Sequence, residues 1–146
     1  KFGDLFTPRQ LVALTTFSDL VSEAIAKVRE DAVASGVADD GIGLDDGGSG
    51  ATAYAQAVGV YLGFALSKIS DLANTIVTWR ADRESSYHLF SKQAIPMAWD
   101  FCELQPLNTG TGTLFGAAKW TAESIEGIAE PSGSLGFEGS EEGEGS

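Results

Sequence analysis

The chain has 146 residues, 43 % of them hydrophobic, and a formal net charge of −12 from 21 acidic and 9 basic side chains. That length and apolar content suit one domain with one core. The negative balance excludes a strong, autonomous nucleic-acid binder, which needs clustered Lys and Arg to neutralise phosphates.

The acid is nevertheless concentrated. Asp39, Asp40, Asp45 and Asp46 lie in a Gly-rich stretch and Glu138, Glu141, Glu142 and Glu144 in the tail; without these eight the balance is 13 acidic to 9 basic, or −4. Most of the charge therefore belongs to two loose segments.

Thr7-Pro8 predicts a helix start, with Thr as N-cap and Pro at the first helical position. Leu14, Phe17, Val21, Ala24, Ile25 and Val28 follow at the three-and-four spacing of an amphipathic helix, which Ser35-Gly36 ends. Residues 36–50 read as a flexible, acidic Gly-rich loop. A second helix is expected from Ala51 to about Thr75, apolar nearly all round over 57–66, as suits the middle of a bundle. Gly59 and Gly63 in it lower helicity but allow a neighbour to approach closely. Pro96 opens an expected short helix carrying Met97, Trp99, Phe101, Cys102 and Leu104, closed before Pro106. Leu114, Ala118, Ala122, Ile125 and Ile128 predict a last amphipathic helix ending near Glu130-Pro131, and no stretch alternates long enough to predict a strand. The expected fold is all-α: about four helices in an irregular bundle over residues 1–130, followed by a disordered Gly/Ser/Glu tail over 131–146. Such ends suggest a fragment of something longer.

One cysteine, Cys102, excludes an internal disulfide, and one histidine, His88, leaves no His/Cys cluster for zinc. No metal site is expected. Residues 1–20 do not read as a signal peptide, and the longest apolar stretch, 57–66, falls far short of a bilayer span. A soluble, cytoplasmic chain without a membrane partner is expected.

Six constellations invite chemistry. The loop over 41–50 lacks the Lys and preceding strand of a phosphate cradle, and its paired aspartates do not alternate as in a calcium loop. His88 with Asp82 or Asp100 lacks a nucleophile elbow, so a hydrolase triad has no support. Cys102, among Trp99, Phe101 and Leu104, reads as a buried small hydrophobe, and Asp100 with Glu103 as a solvated helix face. The segment from Trp79 to Lys92 is more informative. Arg80, Arg83, His88 and Lys92 alternate there with Trp79, Tyr87 and Phe90. It reads either as a strip that holds phosphates and stacks on bases, or as an irregular link whose bases pair with nearby carboxylates. Phe6-Thr7-Pro8-Arg9-Gln10 likewise reads as a plain helix cap or as a helix end suited to an anion.

Three blocks of the chain together resemble one family. They are Phe2-Gly3-Asp4-Leu5-Phe6-Thr7-Pro8-Arg9-Gln10-Leu11 with Ala13-Leu14-Thr15; Tyr54-Ala55 through Tyr61-Leu62 with Asp71-Leu72-Ala73-Asn74 and Trp79; and Gln93-Ala94-Ile95-Pro96-Met97-Ala98-Trp99-Asp100-Phe101. In this order they resemble an internal helical region of adenine-specific DNA methylases, long proteins with an N-terminal domain of unknown function and usually a zinc ribbon. The resemblance covers roughly residues 2–130 and leaves out the acidic loop and tail. Lys92 and Leu107 stand where the family pattern has Arg and Phe.

The resemblance implies a parent protein that is an S-adenosylmethionine-dependent adenine N6-methyltransferase. Its Gly-rich cofactor motif and Asp-Pro-Pro-Tyr catalytic motif lie outside this region and do not occur here, so the chain carries no catalytic residue and binds no cofactor alone. By the same resemblance Phe6, Thr7 and Pro8 lie near the methyl donor in the intact enzyme. Trp79, Arg80, Arg83, Tyr87, His88 and Lys92 form its DNA-facing strip. The partners are then DNA, through the parent protein, and the rest of the methylase chain. The alternative is a helical protein–protein interaction module, and no motif supports a stand-alone small enzyme.

Overall fold

The structure, a computed structural model, describes residues 1–91, 93–94, 97–108 and 112–129, with residues 128 and 129 described by backbone alone. A short 3-10 turn, Phe2–Leu5, precedes helix α1, Pro8–Ala34. The α1 start is a full capping box: Thr7 Oγ1 accepts from the Gln10 amide at 3.2 Å, and Gln10 Oε1 accepts from the Thr7 amide at 2.8 Å. Its end is equally local. Gly36, at φ +95°, turns the chain so that its amide bonds Val33 O and the Val37 amide bonds Ala32 O, both at 3.0 Å.

Helix α2, Ala51–Leu72, runs antiparallel to α1, with Gly59 opposite Ile25 and Ala65 and Ile69 near Leu14. Helix α3, Leu114–Ala129, also packs on α2. Helix α2 thus meets both others and the core lies where it does so, but the expected enclosure of 57–66 is not met: Val60, Tyr61 and Phe64 are exposed to water. Ala65, Ile69 and Ala117 are buried there, ringed by Leu14, Ala73, Leu114 and Ala118. On α3 the inward line includes Ala117 and Thr121, and the expected core residue Ala122 is exposed.

Helix α2 stops three residues earlier than the apolar pattern suggests, because Asn74 turns the chain. Fully buried, Asn74 donates to Ser70 O and Asp71 O at 3.1 Å and accepts from the Ile76 amide at 3.0 Å. Thr75 then ties to Leu5 O through its amide at 2.8 Å and its hydroxyl at 2.9 Å, fastening the N-terminal turn to the end of α2.

Two expectations fail in the link between α2 and α3. A small antiparallel ladder forms where no strand was expected: β1, Trp79–Arg80, pairs with β2, Ser85–Ser86, in the register Trp79–Ser86 and Arg80–Ser85. Glu84 closes its turn at φ +47°. The short helix expected over 96–104 is not formed. Pro96 lies outside the described residues, and residues 97–104 run as bends and irregular chain, with the Cys102 amide bonded to Val77 O at 3.0 Å. A helix of that length is marginal without a packed apolar face. Met97 and Trp99, 75 % and 93 % exposed, provide none. The described fold is thus mostly helical with three α-helices, not four.

The acidic loop is laced to both helices. Asp39 pairs with Arg29 at 2.8 Å and accepts from the amides of Gly41 at 3.1 Å and Thr52 at 3.2 Å. Asp40 accepts from the Ile42 amide at 3.0 Å, and Gln56 Oε1 from the Leu44 amide at 2.6 Å. Gly50, the α2 N-cap, has no side chain to bond the helix amides, so Asp39 serves as a cap from a distance. The Thr52 side-chain hydrogen bond, then the Arg29 guanidinium and the Gly41 amide, hold the Asp39 carboxyl far below its ordinary value of 3.8. A carboxylate whose folded pKa is depressed stabilises the fold above its unfolded pKa and loses that contribution as pH falls through the folded one. Asp39→Asn should therefore lower the thermal midpoint at pH 7, and the gap to the parent chain should narrow steadily below about pH 4. Melting curves at both pH values that show a constant gap would remove this role.

Candidate functional site

Two groups of residues were expected to carry function, and the structure places them at different parts of the molecule. At the N-terminus of α1, Phe6 and Thr7 are half-buried and Pro8 is exposed. Pro8 has no N–H, and the Gln10 amide is taken by Thr7, so Arg9 supplies the remaining first-turn amide. The helix end is consequently poor in donors for an anion. Arg9 itself is bidentate to Glu103, through Nε at 3.2 Å and Nη2 at 2.5 Å. That pair bridges the start of α1 to the irregular segment before α3 and closes one side of an apolar cleft of about 330 Å³ lined by Leu14, Phe17 and Pro106.

The second group is the β1–β2 hairpin. It gathers Trp79, Arg80, Arg83 and Tyr87, so four residues scattered through a mixed stretch share one small element. Arg80 lies 5.3 Å from the Tyr87 ring centroid and is bidentate to Asp82, through Nε at 3.2 Å and Nη2 at 2.7 Å. The hydrogen bond to Asp82 pushes the Arg80 pKa up, and Arg80 in turn pulls the Asp82 carboxyl down. Arg83 is more exposed, with Nε 3.9 Å from the same carboxylate. One aspartate thus serves two arginines, and with Glu84 in the turn the formal charges of the hairpin sum to zero. Trp79 is 55 % exposed, which leaves an open ring beside them.

His88 does not join Asp82 or Asp100. Its Nδ1 lies 2.6 Å from Asp71 Oδ2, and Asp71 Oδ1 accepts from the Phe90 amide at 3.1 Å. Asp71 of α2 therefore fixes both the imidazole and the 3-10 turn Leu89–Ser91. Lys92 lies outside the described residues. Asp100 and Glu103 are not on a helix: Asp100 accepts from the Phe101 amide at 2.9 Å, and Glu103 holds Arg9. Cys102 is half-buried and not buried as expected, and desolvation pushes its thiol pKa up, away from a reactive thiolate.

The reading of 79–92 as a link whose bases pair with nearby carboxylates holds for Arg80 and Arg83 on Asp82, but it did not reach Asp71, the partner of His88. Asp82 lies two residues from Arg80 and was readable as a close neighbour; Asp71 is 17 residues from His88 and carried no local signal. Among the described residues no group of three or more His, Cys, Asp or Glu gathers to hold a metal ion, and no helix is long and apolar enough to cross a membrane. No family model, curated protein or solved structure matches the chain.

Proposed function

We propose that this chain is a non-catalytic helical segment of an S-adenosylmethionine-dependent, adenine-specific DNA methyltransferase, which supports the catalytic fold and adds a DNA contact through the β1–β2 hairpin. The observation that carries this reading is the amount of large apolar surface left in water. Phe2, Phe90, Met97 and Trp99 are 83 %, 77 %, 75 % and 93 % exposed, four large apolar side chains left almost wholly in water. A segment that packs against the rest of a longer chain accounts for it. The blocks of resemblance favour a DNA methylase as that chain, and the hairpin arginines with Trp79 and Tyr87 are the kind of group that meets phosphates and bases.

The same exposed rings favour a second reading, a helical module that binds another protein. The two separate on the genomic sequence. One reading frame with a Gly-rich cofactor motif upstream and Asp-Pro-Pro-Tyr downstream is expected; a stop codon directly after residue 146 would sink the methylase reading. In the full-length protein, R80E/R83E should weaken DNA binding about tenfold or more at low salt, since each lost phosphate contact also removes counterion release. Thr7→Ala with Pro8→Ala should weaken cofactor binding. Unchanged affinities in both variants would leave the chain with a supporting role alone.

A further inference from the structure

Between α2 and α3 lies a groove of about 710 Å³ to which Lys68, His88, Phe115, Lys119 and Trp120 all contribute. Its floor is apolar and closed, with Ile69, Leu72 and Ala117 at 1 %, 3 % and 6 % exposure. Its walls are open: Phe115 and Trp120 are 64 % and 56 % exposed although their helix contributes Ala117 to the core. Lys68 Nζ sits 4.5 Å from the Trp120 ring centroid, so the indole already holds a cation near its face. Lys119 reaches back to Glu123 at 3.7 Å, a solvent-exposed pair that a stronger anion displaces at little cost. His88 closes one end, held by Asp71.

Exposed rings over an apolar floor, with two ammonium groups beside them, match a flat aromatic ligand that carries a negative charge. From this geometry we infer that the groove binds an unpaired nucleotide of single-stranded nucleic acid, its base taking the Trp120 face that Lys68 now covers, beside Phe115, and its phosphate held by the displaced Lys68 and by Lys119. A base within a duplex is stacked on both faces and cannot enter the groove, so the site discriminates against duplex. Glu123 and the Asp71 that accompanies His88 oppose the two lysines. Stacking therefore carries much of the affinity, and the salt dependence is shallow, with a slope near −0.7 for about one phosphate on a single strand. The groove is separate from the hairpin, and the inference goes beyond the methylase reading without depending on it.

The test is fluorescence anisotropy of a labelled ten-nucleotide single strand, and of the same strand annealed to its complement, titrated with the whole chain at about 50 mM salt. The single strand should bind at least tenfold more tightly than the duplex. W120L should lose about tenfold and W120F much less, since phenylalanine retains a stacking face. K68E/K119E should lose tenfold or more with an unchanged circular-dichroism spectrum. Three results overturn the inference: no binding of the single strand, equal binding of duplex, or affinity that survives W120L and K68E/K119E. If binding disappears with R80E/R83E alone, the groove is excluded while the hairpin contact of the proposed function stands.

Discussion

Ile69→Ala is expected to lower the stability of the fold by about 2–5 kcal/mol. Ile69 is 1 % exposed and stands where α2 meets both other helices. The buried core around it is built mainly from small side chains: Ala65 and Ala117 are nearly closed to solvent, and Ala73 and Ala118 pack against them beside Leu14 and Leu114. Among the described residues only Ile69, Val77 and Asn74 are large and fully buried. Alanines cannot lean into the space that a lost isoleucine leaves, so the cavity term adds to the lost transfer energy. For a chain of this length the thermal midpoint should fall by roughly 5–20 °C. A loss below about 1 kcal/mol in denaturant unfolding would mean that α3 does not share this core.

The second large effect separates two glycines that look alike in the sequence. A Cβ at Gly59 would stand 2.5 Å from Ile25 Cδ1 and 2.7 Å from its Cγ1, whereas one at Gly63 meets nothing within 4 Å. Gly59→Ala should be near neutral, because the tip of Ile25 yields and helix propensity returns up to about 1 kcal/mol. Gly59→Leu should cost about 1–3 kcal/mol by forcing α1 and α2 apart. Gly63→Ala should stabilise by about 0.5–1 kcal/mol, since it removes backbone entropy from the unfolded chain and crowds nothing. Urea midpoints of the three variants check the order; a Gly63→Ala as damaging as Gly59→Leu would refute the packing.

That difference marks how far the fold was legible. Both glycines obey the same four-residue spacing, and the expectation that each admits a close neighbour holds for Gly59 alone. Spacing along a helix defines a face; which part of the face meets a partner depends on where the other helix crosses. The candidate site repeats the point. The mixture of Arg80, Arg83, Trp79 and Tyr87 was visible as composition, but the hairpin that collects them was not, because each strand is only two residues long. Two residues show no alternation. Phe115, Lys119 and Trp120 of the groove lie within six residues on α3, but its second wall, with Lys68, comes from α2 more than forty residues earlier, so the groove itself carried no local signal.

The negative charge also takes a different meaning. The loop aspartates were expected to belong to a loose connector, yet Asp39 and Asp40 bond loop amides, and Asp39 also binds Arg29 and the first turn of α2.

What the sequence by itself determined is whatever closes within a few residues. The capping box of Thr7 and Gln10, the Gly36 turn and the three long amphipathic helices all depend on hydrogen bonds or side-chain periods local to the chain. Only the tertiary structure decided that Asp39 caps a helix 12 residues further on, that Asp71 holds His88, and that residues 97–104 forgo a helix to bond Val77. Those choices compare energies between segments that meet only after folding: an amide satisfied by a distant carbonyl competes with one satisfied four residues away, and packing settles which is made.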